Sequence, residues 1–575
     1  MAQWQLALSF VVVFVVPFNW AQFPPPPTSA TLGVEVGARP PAFCDVMKES
    51  RPFSDEQGKA VAVDENGWPK ADGKLVVFDL RPAFAWAPPI DDPEKKIPEN
   101  LDGIWKLSFS GLANVSIADG SFSGSISNIK FDNTTNVTTA DINYPKSEAL
   151  MVLTFSDTQR TPSDPKGSGV VNVSIIAPYC DQDKPTLFTP MLIKALQPFD
   201  HIRFMGVLGT NYQAGFYGDK GNHIISWDQR SFVNDSTQVA WTDLRPGKHG
   251  WPWEYVILLA NEVNKDIWIN IPVSASGCLP YPESNCEEDT NSYIYQLALL
   301  LKNGNEFTEN KGLNNNLHIY IEHSNEVWNF GFSQYTWNKL NAIDRVKNDP
   351  KISIAFNSSD QEVWARRNHY LRLMEIGKTF TSIFGSTVYN RKIFLIFAEW
   401  TIFPQHYDVT LNWADIVFGI PPHNYLYALA QTHYFSDSKA SAHASVQQIL
   451  AAIKNSSDSA YVNTLEIGEI ASVWGLKLAA YEAGPGMKVG DTTNIGNRIE
   501  AQRNSALQQI VVDDVLKNWF GLPRPGDMYN YFSLAGAYSR YGCWGATDDL
   551  SDLSTPKYRA ILEITKTLHE KHVDA

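Results

Sequence analysis

Short apolar runs alternate with helical patterns along most of the chain after residue 195. The runs are rich in Ile, Leu, Val, Tyr and Phe, which is typical of buried strands. Seven of them stand out, at residues 201–205, 267–271, 317–321, 393–397, 427–434, 477–481 and 528–534. We therefore predict a repeated strand, loop and helix.

The segments between these runs have helical periodicity. Residues 362–384 and 499–520 each place apolar side chains on one face, and Gly385 and Gly521 follow as stop signals. A further strand at 31–36, followed by the helical pattern AFCDVMKE, makes an eighth unit. Eight such units predict an α/β fold, a parallel (β/α)8 TIM barrel with its helices outside. An open, doubly wound sheet is the structural alternative.

The pattern of apolar and polar residues changes between residues 103 and 176. Runs such as GIWKLSF and ALMVLTF alternate in polarity and are separated by Gly, Asn, Asp and Pro, as in antiparallel sheets. We predict a β-sandwich-like module at 101–195, inserted between the first β/α unit (31–100) and the remainder of the barrel (196–575).

The beginning of the chain predicts export. Residues 6–16 (LALSFVVVFVV) form an apolar run ended by Pro17, with the small Ala21 shortly after it. This run is too short to span a membrane and matches a signal peptide, here 1–22. A Pro-rich spacer follows at 23–30. Because no other apolar run is long enough to span a membrane, we expect a secreted, extracellular protein without a membrane span.

Possible glycosylation sites agree with export. Seven Asn-x-Ser/Thr sequons are present, at Asn114, Asn133, Asn136, Asn172, Asn234, Asn357 and Asn455. The five cysteines have no zinc-type spacing, and the histidines share no ligand spacing, so no metal is predicted. Cys278 and Cys286 bracket a Pro-containing loop and are the predicted disulfide, and at least one thiol is left over.

Composition limits the classes of molecule that the protein is expected to bind. The 575 residues carry a net charge of −15, which argues against a nucleic-acid partner and favours solubility but does not give an oligomeric state. Aromatic residues make up 12% of the chain. Aromatic side chains in excess of core needs often stack on sugar rings. No phosphate-binding glycine loop is present, and no cofactor is expected.

Two predicted strands end in glutamates. The fourth runs LHIYIEHSNEVWN, with Glu326 in the motif that closes it, and the seventh runs KLAAYEAGPG, with Glu482. Reacting groups of such barrels sit at the carboxyl ends of the strands. Glycoside hydrolysis needs two carboxyls facing each other, one protonated and one ionised.

These motifs resemble the signature of the retaining glycoside hydrolases of clan A. Together with DENGWP, GWPWEY and the closing YGCWG, they resemble a family of secreted proteins labelled carbohydrate-binding or cellulose-binding-like, over residues 32 to about 562. The resemblance implies that Glu326 is the acid/base and Glu482 the nucleophile. It also implies that Asn325 holds the sugar 2-hydroxyl.

Further site residues follow from the same resemblance. Arg203 is similar to the arginine that keeps the nucleophile ionised, and Tyr434 to the tyrosine that hydrogen-bonds it, with His433 as neighbour. Trp544 resembles the tryptophan under the bound sugar. Trp253 and Trp328 are, with Trp251 and Trp400, candidate sugar platforms, although any one of them is more often a packing residue.

The expected activity is retaining hydrolysis of a β-linked polysaccharide or oligosaccharide, with the two carboxyls about 5–5.5 Å apart. A non-catalytic glycan-binding or extracellular matrix protein on the same barrel is the alternative, and a transglycosylase is a third. Other interpretations of single residues stay open. Glu326 is alternatively a solvated loop charge. Glu482 is alternatively a salt-bridge partner of Arg203, and His433 a structural histidine. Glu322 is expected to be a buried, paired barrel-interior group, and Glu399 has no assigned role.

Overall fold

A computed structural model describes most of the chain. The described residues are 30–37, 41–79, 101–117, 124–145, 150–212, 224–239, 250–277, 289–488, 493–524, 526–540 and 542–573. The predicted signal peptide, nearly all of the Pro-rich spacer and the predicted Cys278–Cys286 disulfide lie outside them. Across these ranges, no helix is long and apolar enough to cross a membrane.

The strands of the described residues are numbered in chain order. They are β1 (Thr31–Glu35), β2 (Gly73–Asp79), β3 (Gly103–Ser110), β4 (Leu112–Ile117), β5 (Ser125–Asp132), β6 (Val137–Tyr144), β7 (Leu150–Gln159), β8 (Val171–Ile176), β9 (His201–Arg203), β10 (Asp266–Ile271), β11 (Ile319–His323), β12 (Ile393–Ala398), β13 (Leu426–Ser436), β14 (Lys477–Gly486) and β15 (Met528–Tyr531).

The α-helices are numbered in the same way. They are α1 (Pro190–Leu196), α2 (Trp253–Val263), α3 (Tyr293–Asn303), α4 (Ser333–Asn348), α5 (Pro350–Phe356), α6 (Gln361–Phe384), α7 (Gln405–Phe418), α8 (Val446–Val473), α9 (Ile495–Arg503), α10 (Ala506–Asp513) and α11 (Pro556–Val573). The helix predicted at 499–520 is instead divided among α9, α10 and a π-helix, Asp514–Trp519.

Eight parallel strands close into a barrel in the order β1, β9, β10, β11, β12, β13, β14, β15 and back to β1. All eight coincide with the predicted runs. The (β/α)8 TIM barrel is therefore confirmed, and the open doubly wound sheet is wrong.

An antiparallel module interrupts the barrel between β1 and β9. Its two sheets have the orders β2–β7–β4 and β5–β6–β3–β8, and they share one hydrophobic core that includes Trp105 and Phe155. The inserted module is thus confirmed.

The module begins earlier in the chain than predicted. Strand β2, assigned from the sequence to the first β/α unit, pairs with β7 of the module. The helical pattern after β1 forms only a 3-10 helix, Val46–Glu49. Asp45, just before it, accepts hydrogen bonds from the backbone N–H groups of Met47 and Ile175. Because this segment is tied to β8, it cannot continue as a helix, and the first barrel helix is α1, after the module.

A disulfide that the sequence analysis did not predict joins Cys44 to Cys180, 136 residues apart. It links the two ends of the module, where the chain leaves the barrel and where it returns. Such a bond lowers the conformational entropy of the unfolded chain, by an amount that grows with the logarithm of the number of residues in the enclosed loop. Cys543 is a buried free thiol.

Aromatic rings fill the barrel below its mouth. Trp268, Tyr320 and Phe394 pack against one another in the interior, and His201 stacks on Trp268. Gly33, opposite His201 on β1, is required here because a Cβ on it would lie 1.9 Å from Nε2 of that histidine. The barrel is therefore a packed core, and only its carboxyl end is left for a site.

Candidate active site

Arg203 occupies the centre of the barrel mouth, fully buried. Its Nη1 donates to Glu482 at 2.9 Å and to Glu35 at 3.2 Å. Its Nη2 donates to Glu322 at 3.1 Å and to Asn325 at 2.8 Å. One guanidinium thus joins residues that lie in, or directly after, three other strands, β1, β11 and β14.

Negative charge exceeds positive charge in this cluster, since three carboxylates surround one guanidinium. Burial and the neighbouring Glu482 raise the pKa of Glu35 to about 8, against the opposing effect of Arg203. Burial also raises the pKa of Glu322. Burial opposes the charge of Arg203, but the three carboxylates outweigh it and raise the pKa of the guanidinium further. The cluster therefore retains protons near neutral pH, and Glu35 is one carboxyl that holds one.

Glu482 reaches the mouth through an irregularity in β14. The pairing of β13 with β14 shifts so that Gln431 faces Ala480 and Thr432 faces Glu482, leaving Tyr481 between them unpaired. Both Tyr481 and Glu482 can then face the interior. The Tyr434 hydroxyl donates to Glu482 at 2.8 Å, so the two carboxylate oxygens are held by Arg203 and Tyr434.

Glu326 lies in the turn after β11. Its φ is +43°, and that of Ser324 is +59°, a region that non-glycine residues rarely adopt. The Asn329 amide donates to Oε2 at 2.8 Å, and the Tyr481 hydroxyl to Oε1 at 3.2 Å. Burial, followed by the charge of Glu482, raises the pKa of Glu326 to about 7. This carboxyl can therefore carry a proton at neutral pH.

Aromatic residues border the mouth beside Glu326. The rings of Trp328 and Trp400 stack with centroids 5.2 Å apart and an interplanar angle of 17°. Phe330, 71% exposed, meets Trp400 edge-on. On the other side, Trp544 packs against Phe532, which in turn packs against Tyr434. The structure thus brings Trp328 and Trp544 to the rim.

Two of the predicted site residues lie elsewhere. His433 points away from the interior, 3.4 Å from Asp514 and against Trp519, because neighbouring residues of a strand face opposite sides and Tyr434 faces inward. It is a structural histidine, and its assignment to substrate binding is wrong. Trp253 is 3% exposed and donates its indole N–H to Tyr293, so it is a packing residue and not a sugar platform.

Two further glutamates are now placed. Glu322 is buried and accepts hydrogen bonds from Arg203, Trp268 and Asn270, as expected of a paired interior group. The carboxylate of Glu399 is 2% exposed and accepts from the backbone N–H of Trp400. Burial raises its pKa to about 7. It makes no hydrogen bond to Glu326 or to the Arg203 cluster.

Sequence reasoning missed Glu35, although a signal for it was present. It ends the first barrel strand, where reacting groups of such barrels are expected. Sequence reasoning also gave no role to Asn211 and Gln334, which support Asn325. They lie in a turn and a helix after the strands, where no periodicity marks them.

We expect Glu35→Gln to stabilise the protein increasingly as the pH rises. The protonated form of Glu35 fits the folded state, so its contribution is complete below the unfolded pKa, near 4.5, and is lost as the pH rises towards about 8. A glutamine does not titrate. Denaturant unfolding should show the stability of the variant relative to wild type rising by about 3–4 kcal/mol between roughly pH 5 and pH 8. Parallel pH profiles would contradict the assignment.

Comparisons with known proteins give structural similarities alone. No protein-family model matches the chain, and no curated protein matches it. Xylanase 10C from Cellvibrio japonicus is 12% identical, with a TM-score of 0.29 over 89% of this chain and 96% of that one. Xylanase 10B from Thermotoga maritima is 10% identical, with a TM-score of 0.32 over 66% and 90%. An endo-1,4-β-D-mannanase from Thermotoga petrophila is 12% identical, with a TM-score of 0.31 over 66% and 94%.

Proposed function

We propose that the protein is a retaining glycoside hydrolase acting on a β-linked polysaccharide or oligosaccharide. One observation carries the proposal. Glu482 is held by Arg203 and Tyr434, while the pKa of the neighbouring Glu326 is raised to about 7. A carboxylate paired with a guanidinium beside a carboxyl whose pKa is raised is the pair that this chemistry requires.

The two carboxyls divide the reaction between them. Glu482, paired with Arg203, attacks the anomeric carbon and forms a glycosyl-enzyme ester. Glu326 donates its proton to the leaving oxygen in this step. It then removes a proton from the water that cleaves the ester, so both groups return to their starting state. Asn325, oriented by Arg203, binds the 2-hydroxyl.

A non-catalytic glycan-binding protein on this barrel is the alternative. The raised pKa of Glu326 beside Glu482 favours an enzyme, because a carboxyl that holds a proton near neutral pH suits a general acid. The carboxyl separation of about 5–5.5 Å stays a prediction of the retaining mechanism. A transglycosylase would use the same two groups and replace water by a sugar hydroxyl in the second step.

A trapping experiment tests the nucleophile. We expect one of a panel of activated 2-deoxy-2-fluoro β-glycosides to label the protein. The fluorine slows both formation and hydrolysis of the ester, and the activated leaving group speeds its formation alone, so the ester accumulates. Peptide mapping by mass spectrometry should place the adduct on Glu482, and Glu482→Gln should not be labelled. An adduct on Glu399 would contradict the residue assignment, and failure to turn over or bind any sugar would contradict the activity.

The pH dependence tests the acid. Because Glu326 must be protonated for the first step, kcat/KM on a glycoside with a poor leaving group should fall as the pH rises through about 7. Glu326→Gln should lower kcat/KM on that substrate about 10²–10⁴-fold and much less on an activated aryl glycoside. Glu399→Gln is the matched control, since the pKa of Glu399 is raised to about 7 as well. If Glu399→Gln abolishes the fall of kcat/KM at alkaline pH, the assignment of Glu326 as the acid is wrong.

We further propose that the protein is secreted and N-glycosylated. Neighbouring sequons offer a paired test, because Asn133 is exposed, whereas the amide of Asn136 donates to the backbone carbonyl of Arg160 at 2.8 Å and its Oδ1 is buried. On expression in eukaryotic cells, the chain should appear in the medium, cleaved near Ala21. Glycopeptide mapping should find Asn133 occupied and Asn136 largely unoccupied. Retention inside the cells, or equal occupancy, would contradict this.

A further inference from the structure

The mouth of the barrel contains a chain of side-chain amides whose orientation is set by Arg203. A guanidinium has only donors, so the atom of Asn325 that it contacts at 2.8 Å must be the oxygen Oδ1. The Nδ2 of Asn325 therefore faces the other way, towards Asn211. The assignment of oxygen and nitrogen in this amide follows from a group that cannot accept a hydrogen bond.

The same logic fixes the next amide. Nδ2 of Asn325 donates to Oδ1 of Asn211 at 3.0 Å. Gln334 donates to that oxygen at 2.7 Å, and its Nε2 is itself fixed because it also donates to the backbone carbonyl of Asn325 at 2.8 Å. Two donors thus occupy Oδ1 of Asn211, and both come from residues that are at most 1% exposed.

The Nδ2 of Asn211 is left for a ligand. Asn211 lies in the 3-10 turn Thr210–Tyr212 that follows β9 at the carboxyl end of the barrel, and it is partly exposed. In the part of the chain that the structure describes, its Nδ2 has no protein partner and is not among the buried unpaired atoms. Two N–H groups are therefore presented to solvent beside Asn325, in a fixed direction.

We propose that Asn211 is a substrate-binding residue that donates from Nδ2 to the sugar 3-hydroxyl. This rests on the proposed function, in which Asn325 holds the 2-hydroxyl. Two amides joined by a 3.0 Å hydrogen bond present donors to adjacent positions of one sugar ring. The anomeric carbon lies on one side of C2, so the only neighbouring hydroxyl is that on C3. Asn211 and Asn325 thus present only hydrogen-bond donors to the sugar. They select sugars whose 2- and 3-hydroxyls are both free to accept a hydrogen bond.

The test is a double-mutant cycle between side chain and substrate. Wild type, Asn211→Ala and Asn211→Asp are compared on an aryl β-glycoside that the protein hydrolyses and on its 3-deoxy analogue. Asp keeps the oxygen that Asn325 and Gln334 contact, lacks the N–H donors and adds a charge, so a role of Asn211 other than donation to the 3-hydroxyl would change kcat/KM equally on both substrates. Unfolding temperatures check that all three proteins are folded.

We expect each variant to lower kcat/KM on the parent glycoside roughly tenfold or more, and to have little further effect on the 3-deoxy analogue. Equal losses on both substrates, or an unaffected Asn211→Asp, would overturn the proposal and leave the glycosidase assignment intact.

Calorimetric binding of glyconolactams by the same three proteins separates the two proposals. Weaker binding by both variants supports the role of Asn211, even in a protein without turnover. Equal binding overturns that role alone. A wild-type protein that neither binds nor hydrolyses any sugar of the panels would overturn both proposals.

Discussion

The site depends on one buried guanidinium. Arg203 contacts Glu35, Glu322, Glu482 and Asn325 at 2.8–3.2 Å, and it lies among the rings of Trp268 and Tyr481. Burying a charge costs several kcal/mol unless it is paired and hydrogen-bonded. Here the partners come from separate strands, so the cation is satisfied only when the barrel is closed. Fold and site are therefore coupled through the same side chain.

This arrangement divides protons unevenly among the carboxyls. Arg203 compensates one negative charge, while three glutamates contact it and Glu326 lies close by. Burial raises the pKa of Glu35 to about 8 and that of Glu326 to about 7, and the charge of Glu482 adds to both effects. Glu482 has two donors on its carboxylate. The site thus combines a carboxyl whose pKa is raised with one that accepts hydrogen bonds from a guanidinium and a hydroxyl, as the proposed acid and nucleophile require.

The aromatic residues serve two purposes that composition does not separate. Trp268, Tyr320 and Phe394 fill the barrel interior and support the site from below. Trp328 and Trp400 stack at the rim, where Phe330 is exposed. A count of aromatic residues contains both groups, and Trp253, a candidate platform by sequence, belongs to the packing residues.

Hydrophobic periodicity is a local property, so the eight barrel strands, the inserted antiparallel module and two glutamates, one after β11 and one in β14, could be predicted from the sequence. Tertiary structure decided the rest. The early start of the module at β2 and the Cys44–Cys180 disulfide depend on pairing over long separations. The inward turn of Glu482 beside Tyr481 needs a register shift between strands. The outward direction of His433 and the gathering of Glu35 and Asn211 around Arg203 and Asn325 exist only once the sheet closes, since closure brings residues from distant segments within hydrogen-bonding distance.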